Sequence, residues 1–282
     1  MTPLRVLACA VAVSLLAGSA VLPGAAAPPR TDLLTRSLRK ALVVPHVDPR
    51  RTGALAVELS SGRVIFAKNA RLALVPASTE KLAVAYAALV TLGPAYRIET
   101  HVLGEGRREG ATWRGALFLK GHGDPMLTRF GLARLASRLR AAGIRRVTGS
   151  IVGDESFFDR RRTAPGWKSW FYVNESPPLS ALVVDRARSG GVVSRRPALA
   201  AAYAFRAALR RAGIAAPAPV ILGRASRRAV LLARLSSRPL ARLVRFMGRE
   251  SDNFTAELLL KQLGASAARR GTTMAGALVV RR

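Results

Sequence analysis

Ser78 and Lys81 are the residues of this 282-residue chain whose types and spacing most directly suggest chemistry. Residues 76–90 open with proline and are rich in helix formers with apolar residues at helical spacing, so we expect a helix from Ser78. The hydroxyl and the amine would then lie one turn apart. A neutral lysine can take the proton of a serine and make it a nucleophile. The backbone N–H of Ser78, at the positive helix end, would favour a developing oxyanion.

Ser251 and Asn253 supply a second signal, in a break between two predicted helices at residues 238–249 and 254–263. Ser-x-x-Lys alone has a plain structural explanation, in which Ser78 caps a helix and Lys81 is a surface charge. Ser-x-Asn alone is equally unspecific. Together, and in this order, the two motifs match the active-site set of the penicillin-recognising serine acyl transferases.

Longer segments extend the similarity over most of the chain. The sequence resembles the D-alanyl-D-alanine carboxypeptidase/endopeptidase family, the penicillin-binding protein 4 type of peptidase family S13. The segments that carry the resemblance are LVPASTEK at 74–81, TLGP at 91–94, LKGHGDPML at 119–127, APGW at 164–167 and SDNFTAE at 251–257. No Lys-Thr-Gly or Lys-Ser-Gly follows Asn253. We therefore expect a chain interrupted before that motif, weakly active or inactive.

The resemblance implies a serine-type hydrolase of D-Ala-D-Ala ends or D-alanyl cross-links in peptidoglycan stem peptides. Ser78 would form the acyl-enzyme, Lys81 would act as the base, Ser251 would relay a proton to the leaving amine, and Asn253 would bind the substrate amide. β-Lactams are then expected as covalent inhibitors. Asp252 is expected to face outward or to stabilise its loop. No cofactor is expected, and no metal, because the three histidines lack ligand spacing.

The implied fold is α/β (α+β), a transpeptidase-like domain whose antiparallel sheet is flanked by helices, with a mixed insertion domain and with C-terminal strands missing. We assign residues 1–27 to a signal peptide, 28–95 and 192–282 to the two parts of this domain, and 96–191 to the insertion. Periodicity predicts further helices at 31–42, 127–142, 197–212 and 272–280. It predicts strands at 53–59, 63–67, 97–103, 115–120, 149–153 and 218–222. An aromatic cluster is expected in the core or in the cleft wall: Trp167, Trp170, Phe171 and Tyr172.

The composition would suggest a nucleic-acid partner, because 46 Lys and Arg against 16 Asp and Glu give a formal net charge of +30. The N-terminus argues otherwise: Arg5, an apolar run over 6–22 and small residues at 24–27 form a signal-peptide pattern. An uncleaved membrane anchor is the alternative. The single cysteine, Cys9, lies in the apolar run, so the mature chain would contain no disulfide and no cysteine–zinc site.

Export changes the meaning of the arginines, and we expect the protein to be extracellular, periplasmic or associated with the cell wall. The arginines are interleaved with alanine and leucine, which favours solvated helix faces over a dedicated binding stripe. If they have a partner, anionic wall polymers or a membrane surface fit better than nucleic acid.

Two alternatives of other kinds stay open at this stage. A class A-like β-lactamase would share both short motifs, but no glutamate stands in a convincing deacylating context. A non-enzymatic protein that binds the cell wall or polyanions on a degenerate fold would account for the charge and for the absent motif.

Overall fold

The computed structural model describes residues 30–168, 170–189 and 192–282, so the predicted signal peptide lies outside the described residues. The described chain forms two compact units that divide between Val75 and Pro76. Within the described ranges, no helix has both the length and the apolar character needed to cross a membrane.

The described part of the first unit contains an α-helix, a short 3₁₀ turn (Pro49–Arg51) and a hairpin. Helix α1 (Arg30–Ala41) is followed by β1 (Ala54–Val57) and β2 (Val64–Lys68), which pair antiparallel with Ala56 opposite Phe66. The turn between the strands needs a left-handed residue, and Gly62 supplies it with φ 71°. The predicted helix and hairpin are confirmed, with ends shifted by one to two residues.

The described strands of the second unit are β3 (Glu99–Glu109), β4 (Thr112–Gly121), β5 (Arg146–Val147), β6 (Ile151–Asp154), β7 (Arg188–Ser189), β8 (Val192–Val193), β9 (Val220–Leu222) and β10 (Val230–Ser236). Six of them form a mixed sheet, ordered β10-β3-β4-β6-β9 with β5 beside β4. Strand β3 is antiparallel to both of its neighbours, β4 and β10, whereas β6 runs parallel to β4 and β9 parallel to β6. Strands β7 and β8 form a separate short pair.

Seven helices complete the described part of the second unit. They are α2 (Glu80–Leu92), α3 (Arg129–Ala141), α4 (Phe171–Asn174), α5 (Pro197–Arg211), α6 (Leu240–Arg249), α7 (Asn253–Ala268) and α8 (Thr273–Val280). Parallel strands need a crossover connection, and α3 and α5 lie in the connections that lead to β6 and β9. Their apolar faces pack with the sheet in one core, in which Leu135, Phe205 and Leu117 are fully buried. Each such side chain contributes about 2 kcal/mol by leaving water.

A second core joins the helices that carry the sequence motifs. Ala88 of α2, Leu243 and Met247 of α6, and Leu259 and Leu263 of α7 are buried together. This packing fixes the start of α2 relative to the connection between α6 and α7. Two segments separated by about 170 residues are thereby held side by side.

The predicted α/β class is confirmed, and most predicted elements are present. Strand β10 was missed, and the prediction that Gly264 ends a helix is wrong because α7 continues to Ala268. The domain division stays a prediction, although strand pairing bears on it. Strands β9 and β10, from the segment assigned to the second domain part, pair with β6 and β3 of the segment assigned to the insertion.

Candidate active site

Ser78 lies in a tight turn that leads into α2. The N–H of Glu80 donates to the carbonyl of Ala77 at 3.1 Å, and the N–H of Lys81 donates to that of Ser78 at 3.1 Å. These bonds span three residues, as in a 3₁₀ turn. The α-helix begins only at Glu80, so the expectation of a helix from Ser78 is corrected by two residues. The turn still places Lys81 directly over Ser78.

Three side chains predicted to act together meet at this turn. Lys81 Nζ donates to Ser78 Oγ at 2.9 Å, and Ser251 Oγ donates to Ser78 Oγ at 2.8 Å. Lys81 Nζ also lies 3.4 Å from Ser251 Oγ. All three distances are within hydrogen-bond range, so one proton could pass among the three groups without rearrangement of the backbone.

The backbone conformation of Ser251 directs its hydroxyl to this cluster. Ser251 has φ 49°, a left-handed value that is uncommon for residues other than glycine. It lies between the end of α6 and the start of α7, and the N–H of Asp252 donates to the carbonyl of Met247 at 3.0 Å. Such a conformation persists only where its surroundings hold it, and it costs on the order of 1 kcal/mol.

Asp252 anchors this connection. Its carboxylate caps α7 by accepting the N–H of Thr255 at 2.7 Å, and it accepts two bonds from the Arg186 guanidinium at 3.2 and 2.7 Å. The Asp252 side chain is 10% exposed, so it stabilises its loop rather than facing outward. Burial acts to raise the pKa of Asp252, but the bonds from Arg186 and Thr255 outweigh it and hold the pKa below its usual range. Arg186 also lies 5.0 Å from the centre of the Phe254 ring.

A cleft of about 470 Å³ opens at the hydroxyl of Ser78 and the amine of Lys81. Asn253 lines it together with Ser78 and Lys81, so all the side chains to which the sequence assigned roles, Ser251 included, lie at or beside one cavity. Trp167 and Phe171, with ring centres 4.8 Å apart, form an aromatic wall. This agrees with the expected cleft wall, whereas Trp170 is largely exposed.

The surroundings of Lys81 lower the pKa of its amine. Burial lowers the pKa of Lys81, and the carboxylates of Asp252, Glu80 and Glu257 oppose that shift less strongly. Burial in turn raises the pKa of Glu257, despite a hydrogen bond from Thr273. A lysine that loses its proton more readily than usual is suited to accept one from a serine.

The His-containing turn at residues 121–125 is held by hydrogen bonds to the backbone. Asp124 accepts the N–H of Met126 at 2.9 Å, and His122 Nδ1 contacts the carbonyl of Glu99 at 2.8 Å. Burial lowers the pKa of His122 to about 4, so this ring is neutral near pH 7. Across the described ranges, no group of three His, Cys, Asp or Glu side chains is arranged to hold a metal ion.

Arg186 and the glutamates of the cleft were not identified from the sequence. Arg186 stood in an arginine-rich stretch, and its partner Asp252 follows 66 residues later. Glu175 lines the cleft outside every segment quoted above, and Glu257, which ends the segment SDNFTAE, was given no role from the sequence. Only the fold places these two glutamates at the same cleft.

Comparison with solved structures shows which known fold the chain shares. Penicillin binding protein 4 from Haemophilus influenzae matches with a TM-score of 0.71 at 23% identity, covering 81% of this chain and 66% of that chain. A second structure of that protein, complexed with a β-lactam, matches with a TM-score of 0.66 at 22% identity, covering 89% of this chain and 68% of that one. The chain therefore shares the fold of that Haemophilus protein.

The family follows from sequence. The chain belongs to the D-Ala-D-Ala carboxypeptidase 3 (S13) family, whose profile matches residues 34–195 and 186–282. A carboxypeptidase of Mycobacterium tuberculosis is 32% identical over 256 residues, 84% of this chain and 54% of that protein. The D-alanyl-D-alanine carboxypeptidase of an Actinomadura species is 31% identical over 158 residues, 55% of this chain and 29% of that protein. The chain thus spans about half, or less, of the length of these curated relatives.

Proposed function

We propose that the cleft at Ser78 is the active site of a serine-type D-Ala-D-Ala carboxypeptidase or endopeptidase that acts on peptidoglycan stem peptides. One observation carries the proposal: the Ser78 hydroxyl lies 2.9 Å from the Lys81 amine and 2.8 Å from the Ser251 hydroxyl, beside an open cleft. The family membership and the names of the relatives support the substrate class. They favour neither the β-lactamase nor the non-enzymatic alternative.

The first half of the reaction forms an acyl-enzyme. Ser78 Oγ attacks the carbonyl carbon between the two D-alanines while neutral Lys81 accepts the hydroxyl proton. The Ser251 hydroxyl, which touches both groups, relays a proton to the departing amine of the terminal D-alanine. The C–N bond breaks, and the remaining peptide stays attached to Ser78 as an ester. Asn253 binds the substrate amide and helps to orient Lys81.

Water completes the cycle. It attacks the ester carbonyl carbon and passes a proton to Lys81, which returns it to Ser78 Oγ. The shortened peptide is released, and the Ser78 hydroxyl is free again. A β-lactam would stop at the ester stage, because its leaving amine stays tethered to the acyl group and obstructs the water. This accounts for β-lactams as covalent inhibitors, and the β-lactam complex of the Haemophilus protein supports that inference.

We infer that this activity belongs at the bacterial cell wall, since the substrate is a wall component. Export through the predicted signal peptide and a further partnership with wall polymers or a membrane surface stay predictions.

The direct test is release of D-alanine from a synthetic peptide that ends in D-Ala-D-Ala, followed over long incubations because the sequence leads us to expect a weakly active or inactive chain. Any release by the natural chain should be lost in Ser78→Ala. Ser60→Ala, which removes an exposed hydroxyl of the first unit, should match the natural chain. Release that survives in Ser78→Ala would contradict the proposal.

A further inference from the structure

Charge is distributed unevenly between the cavities of the second unit. Glu80, Glu175 and Glu257 line the cleft at Ser78, and among the described residues that line it none is an arginine. The cavities along α5 show the opposite pattern: their described lining includes several arginines and no carboxylate. In a chain of net charge +30, arginines are thus absent from the described lining of the candidate active site, whereas they line the cavities along α5 and a separate cavity at Arg97, Arg138 and Arg234.

Three cavities border one another in sequence along α5, and we call them together the α5 groove. Their volumes are about 440, 290 and 400 Å³. The first and second share Tyr203 and Arg211, and the second and third share Arg206 and Arg210. The arginines on which the inference rests are Arg146, Arg188, Arg206, Arg210 and Arg211.

The sequence of α5 explains why a groove forms there. Pro197 stands at the first helical turn, and Ala201, Phe205 and Leu209 are buried against the sheet, which fixes the helix in place. Small side chains such as Ala204 and Ala207 line the groove, so its floor lies close to the helix backbone. Residues 203, 206, 207, 210 and 211 recur at helical spacing and share one side of α5.

These arginines have no acidic partner in the part of the chain that the structure describes. None of the five forms an ion pair there, and Arg206 makes only a 3.5 Å bond to the carbonyl of Ala218 and a contact 5.3 Å from the centre of the Tyr203 ring. By contrast, Arg162 pairs with Glu155 at 2.6 Å. Unpaired cations along a recessed surface concentrate a positive potential within it.

We propose that the α5 groove binds a linear polyanion of phosphate groups, of the kind found in wall polymers with phosphodiester links. The planar guanidinium donates two parallel hydrogen bonds to phosphate oxygens, which suits arginine for this role. Arg206 and Arg210 are about 6 Å apart along the helix axis, so successive groups of one chain can meet successive arginines. The binding leaves the cleft at Ser78 unoccupied.

A membrane surface fits the groove less well than a polymer chain does. Membrane-bound helices expose several large apolar side chains on one face. The exposed positions of α5 are Tyr203, Arg210 and Arg211, of which one is aromatic and two are charged.

The test measures binding of long-chain inorganic polyphosphate to the full chain by titration. The groove variant Arg188→Gln, Arg210→Gln, Arg211→Gln removes three exposed cations that form no ion pair within the described ranges. The control variant Arg242→Gln, Arg245→Gln, Arg249→Gln removes three exposed arginines of α6 and changes net charge equally. We expect affinity to fall about tenfold or more in the groove variant and less than about threefold in the control. Equal losses, or no binding by the natural chain, would overturn the proposal.

Salt dependence and vesicles distinguish the remaining explanations. Affinity should fall with salt concentration, and the steepness of that fall is the slope of log affinity against log salt. The magnitude of this slope should decrease by about two to three in the groove variant and by under about one in the control, because each lost phosphate contact releases one counterion fewer. Vesicles containing anionic phospholipid should bind more weakly than polyphosphate at equal phosphate concentration. Tighter binding to vesicles, lost in the groove variant, would make the surface a membrane site and contradict the proposal. Circular dichroism of both variants checks that the fold is kept.

Discussion

Lys81 is the residue whose surroundings most directly set the chemistry of the cleft. Its pKa is lowered by burial, while nearby carboxylates partly reverse that effect. A lysine is a base only above its pKa, so acylation should accelerate as pH rises through that value. Because the pKa is lowered, this acidic limb of the pH profile should lie at lower pH than for a solvent-exposed lysine.

Substitution of Glu80 tests how burial and the nearby carboxylates together set the pKa of Lys81. The Glu80 carboxylate favours the charged form of Lys81, so Glu80→Gln should lower the pKa of Lys81 further and move the acidic limb to lower pH. The measurement is the rate of labelling by a fluorescent penicillin as a function of pH. Glu109→Gln, at the exposed end of β3, should leave the limb in place. A limb that stays fixed in Glu80→Gln, or moves to higher pH, would count against a lysine base.

At the residue scale, the sequence indicated the groups for which we propose roles but not those that support them. Ser78, Lys81, Ser251 and Asn253 stand in short motifs, and their proximity was expected from the family resemblance that those motifs carry. Arg186 could not be predicted, because its contact with Asp252 depends on how two distant segments pack. Supporting residues of this kind leave no fixed spacing in a sequence.

Among the elements, the α6–α7 connection depends most on a single polar contact. Asp252 performs two tasks there: it caps α7 and it binds Arg186. The two can be separated, because asparagine caps a helix about as well as aspartate but lacks the charge. Asp252→Asn should cost about 1–3 kcal/mol in free energy of unfolding, through the weakened bonds from Arg186. Asp252→Ala should cost about 1 kcal/mol more, through the lost cap.

Urea unfolding at neutral and acidic pH measures both effects. The pKa of Asp252 is held below its usual range, so its ion pair stabilises the fold above the ordinary carboxyl pKa and is lost as pH falls through the lowered value. The difference between the natural chain and Asp252→Asn should therefore shrink at acidic pH. Equal stability of the two Asp252 variants would refute the capping role, and a difference independent of pH would refute the ionic one.

The contact between α7 and α8 depends on glycine. A Cβ at Gly276 would lie 1.8 Å from the carbonyl oxygen of Leu260, which no side chain can tolerate. Gly276→Ala should therefore destabilise the chain by several kcal/mol as the helices separate, on the order of 2–4. At Gly248 of α6 a Cβ meets nothing within 4 Å, so Gly248→Ala should be neutral or stabilising by up to about 1 kcal/mol. Thermal unfolding of both variants gives the comparison, and similar midpoints would contradict it.

Gly264 shows why the ends of elements were harder to predict than their existence. A glycine after an apolar helical run usually marks a stop, but α7 continues past Gly264. A Cβ there would lie 2.6 Å from the carbonyl oxygen of Arg270, so this glycine serves a close approach of the returning chain. Strand β10 was missed for a related reason: its half-exposed sequence gains strand structure from pairing with β3.

For the molecule as a whole, the candidate site depends on packing between distant parts of one unit. Residue 78 meets residue 251 only because α2, α6 and α7 share a core. The six-stranded sheet also combines strands from the segment assigned to the insertion (96–191) with strands from the segment assigned to the second domain part (192–282). The fold class was expected from the family resemblance that the motifs carry, whereas these pairings follow from long-range contacts that periodicity does not encode.

The most direct test of the central claim is the site of covalent attachment of a β-lactam. The full chain is incubated with penicillin, its intact mass is measured, and peptides are mapped by mass spectrometry. The account predicts one added penicilloyl group, located on Ser78, and no adduct in Ser78→Ala. An adduct on another residue, or one that persists in Ser78→Ala, would contradict the account, because the hydroxyl held between Lys81 and Ser251 would then not be the nucleophile.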